Sequence, residues 1–478
     1  MESDIKNLQK YLAYKPKLAW DVLRDRNDEI FEFCRGYMDF LNRAKTERRC
    51  AAEIKYIAEQ NGFVPLERLK QDNVKLMPGA KVYFMQRNKT IALAVIGKGP
   101  LEDGLNLIGS HIDAPRLDLK QKPLYEDEGL ALLDTHYYGG IKKYQWVITP
   151  LAIYGTIIKA DGSKVEISMG EKESDPIFCI TDLLPHLAKS QMEKKMAEGI
   201  TGEGLNVLVG SMPIDIPEEE RENAKERIKL AVLQMLQQKY GITEEDFISA
   251  EIELVPAFNA RDLGFDRSMI LSYGQDDRVC AYTSLQALLS LSSPEKTCVA
   301  LFADKEEIGS VGNTGMESFF LDRFISELAA LEGKYSELTV KRTLLNTKAL
   351  SADVSDALDP NYAEVEDRRN AAYIGRGVTV NKYTGSRGKY GASDAHAEFI
   401  GEVRKVFNDS GIVWQAGELG KVDEGGGGTI AMFLARYGMD VLDCGVPLLS
   451  MHAPLEVSSK VDVYTTYKAY KAFYEKIK

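Results

Sequence analysis

Leu301-Phe302-Ala303-Asp304-Lys305-Glu306-Glu307-Ile308-Gly309-Ser310 is the stretch whose reading decides the fold. It continues Thr297-Cys298-Val299-Ala300, and the run 298–303 is wholly apolar. A short apolar run without polar alternation reads as a strand buried on both faces, the pattern of a parallel sheet. The acidic group then stands at or just past the strand's C-terminal end, where open α/β sheets bind their ligands. Two adjacent carboxylates at such a point can divide the work: one binds a cation, while the other, held off it, moves protons. A solvated acidic turn is the alternative for an isolated Glu-Glu pair. The weight therefore falls on what accompanies the pair elsewhere in the chain.

Working outward, a strand predicted at 105–110 ends in His111-Ile112-Asp113. Alternation puts His111 and Asp113 on one side of the extended segment, so Asp113 can accept a hydrogen bond from the second ring nitrogen of His111, or of another ligand. Asp276-Asp277 precedes an apolar helix predicted over 279–291, where one aspartate could equally be the N-cap. The strand 349–352 ends in Asp353, and 440–445 leads through 446–449 into Ser450-Met451-His452. His111, Asp276, Glu307, Asp353 and His452 thus each stand at a strand end or before a helix. Two imidazoles and three carboxylates suit a pair of zinc-like divalent ions with one carboxylate shared between them. Such a pair acidifies a water and polarises a carbonyl. The whole chain has five histidines, so two at such edges carry weight.

Composition sets the bounds. At 478 residues and 44% hydrophobic content the chain can build two domains. Its formal charge of −12 argues against a nucleic-acid-binding or anionic-membrane-binding surface, both of which need clustered positive charge. The N-terminal residues lack a signal peptide's apolar core, and no stretch reaches roughly 18 uninterrupted apolar residues, so a cytoplasmic protein is expected. The six cysteines form no Cys-x-x-Cys pair and read as reduced, mostly buried thiols.

Residues 1–62 read as helical, followed by a hairpin of strands at 81–85 and 90–96. From 124 to 253 the chain becomes β-rich, with one long amphipathic helix predicted over 218–238 and none of the acidic strand-end motifs. The expected organisation is a catalytic domain, 1–123 and 254–478, interrupted by an inserted domain, 124–253, suited to oligomerisation or to a lid. Gly425 to Gly428 lacks the Gly-Lys-Ser/Thr that a phosphate-binding loop requires.

In order, Gly109-Ser110-His111-x-Asp113-x-Pro115-x-Leu117, Asp276-Asp277, Asp304-x-Glu306-Glu307-Ile308-Gly309-Ser310, Ser351-Ala352-Asp353 with Asp359-Pro360-Asn361-Tyr362, and Ser450-Met451-His452 closely resemble the aspartyl aminopeptidase family of dinuclear zinc exopeptidases. The resemblance implies a phosphorylase/hydrolase-like α/β catalytic domain with a mixed sheet flanked by helices, a β-rich dimerisation insertion, and tetrahedral dodecamers acting on peptides. It implies two divalent ions, Zn²⁺ with Co²⁺ or Mn²⁺ as substitutes. His111 and Asp353 hold one, Glu307 and His452 the other, and Asp276 bridges; Glu306 is the general base and Asp113 orients a ligand. His186 matches a histidine that reaches a neighbouring subunit's site, its alternative being a buried helix-start residue. Thr379 stands where typical members carry a lysine that meets an acidic substrate side chain, and Lys382, Arg387 or Lys389 could supply a cation instead. Asp277 replaces an asparagine. Preference for N-terminal Asp or Glu, a neutral or broad specificity, and a deacylase with the same ligands all stay open. A non-catalytic assembly is the remaining alternative, against which Glu306 and the full ligand set count.

Overall fold

The computed structural model describes residues 2–72, 74–222 and 224–478. Its centre is a nine-stranded mixed sheet in the order Val64–Pro65, Lys81–Gln86, Thr90–Val95, Cys298–Ala303, Asn106–His111, Lys348–Ser351, Asp440–Gly445, Val378–Asn381, Trp414–Ala416. The four strands from Cys298–Ala303 to Asp440–Gly445 run parallel. Thr90–Val95 and Val378–Asn381 flank them antiparallel.

The apolar run that decided the reading behaves as such a run must. Cys298, Ala300 and Phe302 enter one core, Val299, Leu301 and Ala303 the other. The first core is closed by the helices Asn27–Arg43, Glu47–Gln60, Gln275–Leu289, Ala397–Asp409 and Lys460–Lys476. The second is closed by Leu66–Gln71, Phe320–Leu331, Glu337–Leu345 and Ala431–Ala435. Burying a Phe or Leu side chain contributes about 1.5–3 kcal/mol, so Phe302 and Leu301 tie one strand to both helical layers. With both faces covered, only the strand ends are free to carry polar chemistry.

A second, six-stranded antiparallel sheet has the order Lys164–Met169, Leu151–Ile158, Ala250–Pro256, Arg116–Asp127, Leu130–Tyr138, Val207–Gly210, with its own apolar core against the helix Arg227–Tyr240. It begins at Arg116, ahead of the change in character read at 124. What lies there is a shift of register between Leu119 and Leu124 inside one continuous strand. The bulge interrupts alternation, which imitates a boundary in the sequence. The helix expected over 218–238 is two, Glu218–Arg221 and Arg227–Tyr240; residue 223, between them, lies outside the described residues. All six cysteines are free thiols, five of them buried. Among the described residues no helix is long and apolar enough to cross a membrane.

A third sheet, Arg261–Leu263, Met269–Ser272, Glu456–Ser459, Pro447–Leu449 and Ser355–Asp356, lies beside the C-terminal ends of the parallel strands. It presents the loop from Ser450 to Leu455. Gly445 lets this region close up: a Cβ there would fall 1.7 Å from the Asp353 carbonyl oxygen.

Candidate metal centre

Three adjacent parallel strands deliver three groups to one spot: His111 closes Asn106–His111, Glu306 and Glu307 follow Cys298–Ala303, and Asp353 follows Lys348–Ser351. The first turn of Gln275–Leu289 adds Asp276, whose peptide bond to Asp277 is cis, and the loop after Pro447–Leu449 adds His452. Nε2 of His111 lies 3.1 Å from Asp276 Oδ1 and 3.7 Å from Asp353 Oδ1. Nε2 of His452 lies 3.2 Å from Asp276 Oδ2 and 3.4 Å from Glu307 Oε2. The two oxygens of Asp276 therefore face two different histidines, giving two ligand triads that share one carboxylate.

These separations test the fit of a metal directly. Tetrahedral zinc with ligand atoms at its usual bond length sets those atoms about 3.3 Å apart, and the four distances bracket that value. The electrostatics agree. Burial and the neighbouring carboxylates, Asp353 first, push the Glu306 carboxyl up to about 8 although His111 opposes it. Glu307 is raised well above its ordinary value by burial and by Asp276, and its buried Oε1 has no hydrogen-bond partner. His452 is driven up to about 10: burial alone would lower it, but Asp276 and Glu307 more than offset this. Each buried ion without a counter-charge costs several kcal/mol. A carboxylate cluster around two histidines is thus a place that lacks positive charge, which cations of the zinc type would supply.

The supporting hydrogen bonds are as specific as the ligand atoms. Asp113, fully buried, accepts the backbone N–H of Glu306 on Oδ1 and of Glu307 on Oδ2, each at 3.2 Å. Nδ1 of His111 lies 3.1 Å from the Asp113 carbonyl oxygen and 3.3 Å from Oδ1. Glu306 stands further out, its Oε2 4.0 Å from His111 Nε2. Glu456, which the sequence reading passed over, accepts the backbone N–H groups of Gln275 (2.7 Å) and Asp276 (3.1 Å) on Oε2 and that of His452 (2.8 Å) on Oε1. A buried glutamate in the short strand Glu456–Ser459, four residues after His452, was the available signal. Asp277 Oδ2 accepts the His111 N–H at 3.3 Å.

The centre opens into a cleft of about 460 Å³, lined among others by Leu419, Met432, Phe433, Met451, Asn381 and Gly426 to Gly428. Thr379 is not in it. The residue is fully buried in the strand Val378–Asn381 with its methyl group against Gly417, while Asn381, two residues on, reaches the cleft. Lys382 is exposed and also absent from the lining. Arg387 and Lys389 line an adjoining cavity that shares Thr384 and Leu419 with the cleft. His186 stands on the exposed turn Pro185–Leu187, outside the cleft of its own chain, so it is not a buried helix-start residue.

Fold and site together define a mixed α/β protein with a candidate metal centre at the ends of its parallel strands. A profile of the aminopeptidase I zinc metalloprotease family (M18) matches residues 40–474, and the chain belongs to that family as a metalloaminopeptidase. It is 51% identical over 458 residues to a probable M18 family aminopeptidase 1 of Clostridium acetobutylicum, covering 96% of this chain and 97% of that one. The crystal structure of an M18 family aminopeptidase from Thermotoga maritima superimposes with a TM-score of 0.91 at 49% identity, over 97% of this chain and 100% of the other. That of aminopeptidase I from Clostridium acetobutylicum gives a TM-score of 0.86 at 46% identity, over 97% and 100%.

Proposed function

We propose that the protein is a dinuclear aminopeptidase that removes single N-terminal residues from peptides. His111 and Asp353 hold one ion, Glu307 and His452 the other, and Asp276 is shared; the observation that carries this is the pair of histidines facing opposite oxygens of one carboxylate. When bound, two zinc ions supply an acidified water and a polarised scissile carbonyl. Glu306 Oε2, outside both triads, takes the proton of the attacking water and returns it to the leaving amine. Asp113 holds the His111 ring and the backbone of Glu306 and Glu307, which keeps base and ligands at a constant separation. Zn²⁺, Co²⁺ and Mn²⁺ all suit a nitrogen and oxygen ligand set without thiolates.

The cleft favours neutral and apolar N-terminal residues. Among the described residues no lysine or arginine lines it, whereas Leu419, Met432, Phe433 and Met451 do. An acidic side chain would have to reach the adjoining cavity to meet Arg387 or Lys389. Hydrolysis rates on a panel of aminoacyl chromogenic substrates test this: a kcat/KM for leucyl and methionyl substrates above that for aspartyl and glutamyl ones is expected, and the reverse order refutes it.

The second sheet, about residues 116–256, is the unit of self-association. Leu183, Leu184, Leu187, Met192 and Met196 are exposed on one segment around His186, an apolar surface that a monomer has no use for. Dimers through this unit build a larger closed particle of the dodecamer type, in which His186 meets a neighbour's cleft. The chain should elute far above its 53.3 kDa; a fully active monomer at low concentration refutes the assembly and the role of His186 together.

A further inference from the structure

We propose that Tyr138-Gly139-Gly140, at the end of a strand of the second sheet, is a positioning clamp on both halves of the metal centre, so that the seating of that sheet sets metal affinity. This rests on the dinuclear reading above. Tyr138 closes the strand Leu130–Tyr138, and its hydroxyl donates to Asp113 Oδ2 at 2.7 Å. That oxygen also accepts the Glu307 N–H, while the other serves the Glu306 N–H and faces the His111 ring. The hydroxyl is the only side-chain donor from the second sheet that Asp113 receives among the described residues.

The tyrosine is itself held from behind. The Arg116 guanidinium lies 3.7 Å from the centre of its ring, and Arg116 is buried among Asp118 (2.8 Å), Glu253 (3.4 Å) and Glu47 (3.5 Å). Glu47 begins a helix of the catalytic body, whereas Asp118 and Glu253 belong to the second sheet. One arginine therefore ties the second sheet to the helix Glu47–Gln60 at the point where Tyr138 leaves for the metal centre.

Two residues on, the same segment reaches the other half. Gly139 has φ +76°, a conformation that side chains rarely adopt, and this turn directs the Gly140 carbonyl onto His452. Nδ1–H of His452 donates to it at 2.9 Å, which turns Nε2 towards Asp276 and Glu307 as the nitrogen available to a metal. Space is as restricted as the backbone: a Cβ on Gly139 would lie 3.4 Å from Glu307 Oε2, and one on Gly140 would lie 3.3 Å from His452 Nδ1. Tyr138 thus acts through Asp113 on His111 and on the Glu307 backbone, one ligand of each ion, and Gly140 acts through His452 on the second ion only. Neither residue offers a ligand atom.

The test uses the full-length protein loaded with Co²⁺. Tyr138→Phe keeps the ring and its stacking on Arg116 but deletes the donor to Asp113. The expected result is affinity about 10- to 100-fold weaker for both ions, as for other residues that support metal ligands, with the visible spectrum of each shifted, kcat lowered and KM unchanged. Gly140→Ala should weaken and shift the ion on the His452 side only. Unaltered affinities and spectra in Tyr138→Phe overturn the clamp. Weakening that comes with a metal-free variant melting below the metal-free parent assigns Tyr138 a merely structural role and also overturns it. If the parent protein takes up only one ion, the dinuclear reading fails, and the clamp fails with it.

Discussion

The two halves of the metal centre are held in place by different means. The His111 side chain, 2% exposed, closes a central parallel strand whose neighbours carry Asp353 and the Glu306-Glu307 turn. The His452 side chain, 37% exposed, stands on a loop at φ +64°, in the left-handed region that a histidine enters only when its surroundings impose it. Glu456 and the Gly140 carbonyl impose it. In one half both unshared ligands, His111 and Asp353, thus stand at the ends of buried strands, whereas in the other Glu307, after a buried strand, faces a loop histidine held by hydrogen bonds. Rigid sheets open only near global unfolding, whereas loops open locally and cheaply, so the two ions should differ in how readily they exchange.

The largest effect that would sharpen this comparison is metal removal. A chelator should release the ions in two phases, the His452 side first, with turnover lost completely and restored by Zn²⁺, Co²⁺ or Mn²⁺. Metal content followed against time decides it. Release in one phase breaks the distinction between the halves, and turnover in fully stripped protein removes the metal from the mechanism.

Next in size, Glu306→Gln should lower kcat roughly 10²- to 10⁴-fold with both ions retained, because the amide can hydrogen-bond a water but cannot take its proton. Glu307→Gln should lose the ion on the His452 side. Kinetics and metal content measured together separate the two outcomes. If Glu306→Gln strips an ion while Glu307→Gln keeps both, the roles of the neighbouring glutamates are reversed.

A smaller effect should follow from Glu456→Gln. One of its oxygens becomes an amide N–H₂ facing backbone N–H donors, and affinity on the His452 side should fall about 10- to 100-fold. Equal weakening on both sides would show that Glu456 acts mainly by fixing Asp276.

The smallest effect serves as a control outside both halves. His396 Nε2 lies 2.8 Å from Asp440 Oδ1, and that bond to the carboxylate raises the imidazole above its ordinary range. A raised value in the folded state stabilises below the unfolded value and is lost as pH rises through the folded one. The melting temperature should therefore drop slightly from pH 6 towards pH 8, and His396→Gln should remove that drop without changing metal release. The pair is half exposed, so the shift is small.

Much of the fold was legible in the sequence because burial on both faces demands continuous apolar runs, and polar chemistry can begin only where such a run ends. That rule located His111, Glu306, Glu307 and Asp353 at neighbouring strand ends and Asp276 at a helix start. It says nothing about which oxygen faces which histidine. It equally misses Glu456, which meets Gln275 across 181 positions, and the Gly140 carbonyl, which meets His452 across 312. Thr379 was placed by its position in a motif, yet packing against Gly417 keeps it out of the cleft that Asn381 enters. Residue types and strand ends are set by local patterning. The pairing of ligands, the supports behind them and the lining of the cleft depend on contacts between distant segments, which only the assembled sheets bring together.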